Sequence, residues 1–225
     1  MPGDLVLLHG FTQTGASWDG VVRELAGRYR ALAPDLGPGP WEAELDRLEA
    51  QLPAAFTLCG YSMGGRVALA LALRIPRRVQ RLVLVSASPG LSDAGERAAR
   101  RAADEALADR IEAIGVDAFA REWAAQPLFA GQPAEVAAAA HADRLRRSAS
   151  ELAAQLRGLG TGAMPSLWER LGELPMPVSA VVGEQDPKFR AIAERMGFPV
   201  AVVPGAGHAL PLEAPAAVAA NLAVP

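Results

Sequence analysis

The chain is poor in the residues that build covalent or metal-held frameworks. Cys59 is the single cysteine in 225 residues, so no internal disulfide can form and no thiolate metal site is expected. The three histidines, His9, His141 and His208, lie far apart without ligand-type spacing, which argues against zinc; no metal and no cofactor is expected. No apolar run approaches the roughly 18 residues that a helical membrane span needs. The N-terminus passes directly into Leu5-Val6-Leu7-Leu8, with no basic segment or cleavage pattern, so no signal peptide is expected. A soluble cytoplasmic protein is the default. A basic excess is missing too: 22 Lys and Arg against 25 Asp and Glu leave a net charge of −3, unlike a generic nucleic-acid binder. Lysine is almost absent, Lys188 standing alone, so nearly every cation is a guanidinium that can grip a carboxylate with two prongs.

What is present suits a sizeable core. Hydrophobic residues make up 51% of the chain and charged residues 21%, which excludes global disorder. Short apolar runs at residues 5–8, 30–33, 56–59, 82–85, 178–182 and 200–203 read as strands. Their continuous hydrophobicity is that of strands covered on both faces. Between them, residues 18–27, 41–52, 63–74, 187–196 and 215–222 carry apolar positions at helical spacing. Such βα alternation predicts a mostly parallel sheet of about six strands flanked by helices. The alternation breaks once, over residues 93–171, where an alanine-rich helical pattern dominates. The expected organisation is a core of residues 1–92 and 172–225, with 93–171 inserted before the penultimate strand as a helical lid over a crevice at the strand ends.

Chemistry concentrates at Gly60-Tyr61-Ser62-Met63-Gly64-Gly65, directly after one predicted strand and before a helix. This is the G-x-S-x-G nucleophile elbow in its required setting. Side chains at Gly60 or Gly64 would collide with neighbouring backbone in so tight a turn. A serine there needs a base and a group to hold the base. His208, in Gly205-Ala206-Gly207-His208 after the last strand, is the candidate base. Asp186, in Gly183-Glu184-Gln185-Asp186, is the candidate acid, with Glu184 its rival. The order Ser62, Asp186, His208 is that of the α/β-hydrolase fold. An oxyanion hole would use the backbone N–H groups of Met63 and of Phe11 in the early loop. His9 is expected to hold that loop through backbone bonds, and His141 to lie on the surface.

These residues resemble the α/β-hydrolase superfamily and, within it, the 2-succinyl-6-hydroxy-2,4-cyclohexadiene-1-carboxylate synthase family. The resemblance spans almost the whole chain. It is carried by Leu8-His9-Gly10-Phe11-Thr12, Arg66 after the elbow, Trp123 with Gln126-Pro127-Leu128-Phe129, and Gly160-Thr161-Gly162 running into Pro165-Ser166-Leu167-Trp168. Gly183-Glu184-Gln185-Asp186-Pro187-Lys188-Phe189 and Gly207-His208-Ala209 complete it. The resemblance implies substrate-binding roles for Arg66, Arg100, Arg144, Tyr61 and Trp123, with Arg97 or Arg101 as alternatives to Arg100. It further implies a polycarboxylate small-molecule substrate, from which pyruvate is eliminated in menaquinone biosynthesis. A monomer or homodimer is expected. A serine esterase, thioesterase or C–C bond hydrolase would share the triad and differ in the arginines. A non-enzymatic receptor on the same fold would not need all three triad residues.

Overall fold

The computed structural model describes residues 2–223. In chain order the elements are β1 (Gly3–Leu8), α1 (Asp19–Glu24), β2 (Tyr29–Leu32), α2 (Trp41–Gln51), β3 (Phe56–Tyr61), α3 (Met63–Arg74) and β4 (Val79–Val85). Next come α4 (Ala94–Ala124), α5 (Ala134–Arg144) and α6 (Ala149–Leu159). The chain finishes with β5 (Val178–Gly183), α7 (Pro187–Met196), β6 (Val200–Val203), α8 (Leu210–Glu213) and α9 (Pro215–Leu222). The six strands form one sheet in the order β2-β1-β3-β4-β5-β6, with every pairing parallel.

Strand side chains alternate between the two faces, and each face is covered, so neither can be polar. Val6, Leu8, Leu58, Leu82 and Leu84 face one layer with Leu45 and Leu48 of α2, Val67 and Leu71 of α3, and Met196 of α7. Leu5, Leu7, Cys59, Val83 and Val85 face the other, with Val21 of α1, Leu210 of α8, and Val218 and Leu222 of α9. This double burial makes the runs continuous in sequence.

The chain first moves from β1 outward to β2, then returns to place β3 on the other side of β1. Strand order therefore reverses between β1 and β3, and a crevice opens beyond their C-terminal ends. The loop after β1 carries His9–Thr12, and the turn after β3 carries Ser62.

Three helices, α4 to α6, stand between β4 and β5. Asp93 caps α4 by accepting the Glu96 N–H at 2.8 Å, and Ser148 with Glu151 forms a reciprocal capping box at the start of α6. The long α4 is broken at Gly115, whose φ of 78° is a left-handed conformation suited to glycine. Periodicity alone does not reveal this break. Two of these helices share a small core in which Ile111 and Phe119 of α4 meet Leu152 and Leu156 of α6, and Phe11 of the β1 loop packs against it.

Polar ties join these helices to the sheet domain. The Asp143 carboxylate in α5 accepts the Thr14 N–H at 2.9 Å and the Thr14 hydroxyl at 2.6 Å. The Gln155 amide in α6 donates to Leu36 O at 2.9 Å. Gly158 lies so close to the chain at Gly39 that a Cβ there would stand 2.1 Å from the Gly39 oxygen. Asp143→Ala should therefore strand the Thr14 N–H without its partner and destabilise the protein by about 1–3 kcal/mol. Differential scanning calorimetry would register this as a lower Tm.

Candidate active site

The turn after β3 is built around glycine. A Cβ on Gly60 would stand 2.3 Å from the Gly64 oxygen, and one on Gly64 would stand 2.2 Å from the Leu8 oxygen. No side chain fits either place. Ser62 between them adopts φ 52° and ψ −109°, a conformation that L residues rarely occupy and that the close packing imposes. Its Oγ is thereby lifted to the rim of the crevice, at the N-terminus of α3.

The three candidate triad residues meet. Asp186 caps α7, its Oδ1 accepting the Phe189 N–H at 3.4 Å, and its Oδ2 lies 2.6 Å from His208 Nδ1. A carboxylate can only accept, so Nδ1 carries the proton and Nε2 is left to accept from the Ser62 hydroxyl, 3.1 Å away. Asp186 and His208 are buried. The rival acid, Glu184, is exposed and accepts the Gly205 N–H at 2.9 Å, away from His208. The rings of Phe189 and Tyr61 flank the imidazole, with centroids 4.5 Å and 5.3 Å away.

The backbone N–H groups of Phe11 and Met63 have no acceptor among the described residues. Met63 opens α3, where unpaired N–H groups and the helix dipole favour negative charge. His9 braces the neighbouring loop: Nδ1 donates to Gly10 O at 2.8 Å, and Nε2 accepts the Leu36 N–H at 2.9 Å. Burial, with the Arg147 charge as a smaller contributor, pulls its pKa down to about 4.

Ser62, Met63 and His208 border a cavity of about 260 Å³. Its cationic lining residues are Arg66, Arg100 and Lys188, and none of its lining residues is acidic. Arg66 points in from the first turn of α3, donating through Nη2 to Leu159 O at 3.2 Å while its Nε has no partner among the described residues. Burial, and then the nearby Arg100 charge, lower its pKa to about 10, so it remains cationic at neutral pH. Arg100 is held by Asp104, whose Oδ1 accepts from Nε at 2.7 Å. Trp123 stands edge-on to Phe11, with ring centroids 5.3 Å apart, and its indole N–H is likewise buried without a partner. An unpaired buried donor costs about 1–3 kcal/mol, which a bound acceptor would recover. A separate open groove of about 750 Å³ near Thr14, Asp35 and Arg147 contains none of the triad.

Arg66, Arg100 and Trp123 thus meet at the cavity, but two other expected binding residues do not border it. Tyr61 is buried with its ring beneath Gly10, where a Cβ would approach to 2.5 Å. Arg144 is buried against Phe129, 5.5 Å from the ring centroid, and its Nε donates to the Thr12 hydroxyl at 3.2 Å. Both support the walls from behind. The alternatives to Arg100 also point elsewhere: Arg97 donates to Leu91 O and Ser92 O, and Arg101 is exposed. Sequence reasoning assigned no role to Lys188, Gln126, Thr161 and Ser88, which line the cavity. The isolation of Lys188 two residues after the acid was the available signal.

Comparisons with known proteins agree with this picture. Residues 5–221 match the model of the alpha/beta hydrolase family. The chain is 37% identical to a putative 2-succinyl-6-hydroxy-2,4-cyclohexadiene-1-carboxylate synthase of Bacillus subtilis, over 94% of this chain and 85% of that protein. It is 33% identical to the synthase of that name from Salmonella agona, over 99% and 95% of the two chains. The solved structure of MenH from S. aureus superposes with a TM-score of 0.92 at 28% identity, covering 99% of this chain and 92% of that one.

Because His9 has a pKa near 4 when folded and an ordinary one of 6.5 when unfolded, the unfolded chain binds the extra proton first as pH falls. The stability due to its neutral form is present above about pH 6.5 and drains away toward pH 4. Urea denaturation across that range should show the decline, with a shallower slope in His9→Asn.

Proposed function

The chain belongs to the alpha/beta hydrolase family and, within it, to the 2-succinyl-6-hydroxy-2,4-cyclohexadiene-1-carboxylate synthases; from that premise we propose the chemistry its own residues perform. The protein is a lyase that eliminates pyruvate from 2-succinyl-5-enolpyruvyl-6-hydroxy-3-cyclohexene-1-carboxylate, a step of menaquinone biosynthesis. The observation that carries this reading is the cavity beside Ser62: three cations, no acidic lining residue, and two buried donors without partners.

In this mechanism His208 Nε2 takes the proton of Ser62, and Ser62 Oγ removes the proton from the carbon α to the succinyl ketone. The electron pair moves onto the ketone oxygen, where the N–H groups of Phe11 and Met63 stabilise the enolate. Return of that pair re-forms the carbonyl and makes a double bond from the deprotonated carbon to its ring neighbour, the existing ring double bond shifts one position along, and the ring–oxygen bond breaks. The leaving enolpyruvate takes up the proton held by His208 and becomes pyruvate. Asp186 holds the imidazole in the required tautomer and stabilises its protonated form. No acyl-enzyme forms and no water attacks, so the triad acts as a base.

Arg66 and Arg100, with Trp123, hold the substrate carboxylates through charge-assisted hydrogen bonds. A pocket for neutral esters would gain nothing from a buried guanidinium whose Nε lacks a partner among the described residues, which favours an anionic substrate over the esterase alternative. On the same reading, residues 93–171 form a lid, the substrate is a free small molecule, and the site of action is the cytoplasm. Among the described residues, no helix is long and apolar enough to cross a membrane.

The test is pyruvate release from the enzymatically prepared substrate. Ser62→Ala should abolish turnover, and Arg66→Ala should lower kcat/KM by roughly 30-fold or more, the size expected when a charged partner is lost. Full activity in Arg66→Ala would overturn the reading.

A further inference from the structure

One carboxylate outside the triad gathers three donors around His208. Glu213 closes the short helix α8, five residues after the histidine. Its Oε2 accepts the Gly207 N–H, and its Oε1 accepts the Ala209 N–H at 3.1 Å and the Gln132 side-chain amide at 2.7 Å. Gly207 and Ala209 are the two chain neighbours of His208. The Glu213 N–H in turn bonds Ala209 O at 3.0 Å, so the side chain folds back onto the N–H at the start of its own helix. Gly207 permits the approach: a Cβ there would crowd Glu213 Oε2 at 3.1 Å. Gln132 comes from the other side, from the turn that joins α4 to α5. The same turn carries Phe129, whose ring centroid lies 6.3 Å from that of His208.

We propose that Glu213 is a positioning residue that fixes the His208 imidazole between Asp186 and Ser62, and that its bond to Gln132 ties the Phe129–Gln132 turn of the helical insertion to the same loop. Covering the cavity and aligning the base are then linked. The proposal rests on His208 being the base. Hydrogen bonds from N–H to a carboxylate are charge-assisted and stronger than neutral ones, so holding both flanking amides leaves the imidazole little room to swing. A glutamine cannot substitute, because it offers one acceptor oxygen and would turn an NH₂ toward an N–H donor.

The test uses Glu213→Gln and Gln132→Ala in the full chain, with kinetics of pyruvate release and proton NMR of the ligand-free protein. The proton between His208 Nδ1 and Asp186 Oδ2, in a bond of 2.6 Å, should give a far-downfield resonance in the unaltered chain. Glu213→Gln should shift or broaden it and lower kcat by about tenfold to 100-fold, the cost of a small misplacement of a reacting group. KM should change by less than about twofold, since no substrate contact is removed. Gln132→Ala should keep the resonance and raise KM. Glu213→Gln with unchanged kcat and resonance would overturn the positioning role, even if its Tm fell. An unchanged KM in Gln132→Ala would overturn the tie to the insertion. Should Glu213→Gln not fold, Glu213→Asp, one methylene shorter, is read in the same way. The NMR readout needs no substrate. A normal resonance in a chain that releases no pyruvate would therefore defeat the functional reading and leave the positioning role standing.

Discussion

The structure depends on how closely the turn after β3 is pressed against the end of β1. Gly64 lies against the Leu8 and His9 carbonyls, and Gly60 against the backbone of the next helix, with no room for a methyl group at either place. That contact holds Ser62 at a positive φ it would not choose alone. It also brings the Phe11 and Met63 N–H groups to one crevice, because β1 and β3 are the strands between which the sheet order reverses. The Phe11 amide stands about fifty residues before the adjacent Ser62 hydroxyl and Met63 amide, and the switch in strand order unites them.

Around that fixed point the charges are arranged in one sense. Arg66, Arg100 and Lys188 line the cavity, while Asp104 holds Arg100 from outside the lining. Arg66 is buried deeply enough for its pKa to fall, yet keeps one donor unpaired. Such a group raises the energy of the empty site, and the anionic substrate proposed above would relieve it. The support for this wall is itself polar. Arg144 braces the loop through Thr12, Asp143 through Thr14, and His9 through Gly10 and Leu36.

Much of the fold was legible in advance because double burial leaves a strong trace in sequence. The six strand runs, and the helices at 63–74, 187–196 and 215–222, stand where their apolar spacing predicted. Asp186 and His208 could be read from their places after β5 and β6, and the glycines around Ser62 from the steric demands of the elbow. The break in α4 at Gly115 was not legible, since a single glycine in an alanine-rich helix leaves the periodicity intact. Nor was the position of Arg144, because an arginine in such a helix has the same local signature whether it faces solvent, a cavity or a buried loop. Glu213 carried no signal of its own; its partners Gln132 and Gly207 become neighbours only through folding.

The sequence alone thus determined the sheet, the elbow and the three side chains that meet as the candidate triad, because each follows from local sterics, hydrophobic period or order along the chain. Tertiary structure decided which cations enter the cavity, which stay behind its walls, and which carboxylate steadies His208. Those choices depend on side chains from distant segments competing for the same buried space and hydrogen-bond partners, and that competition has no period along the chain.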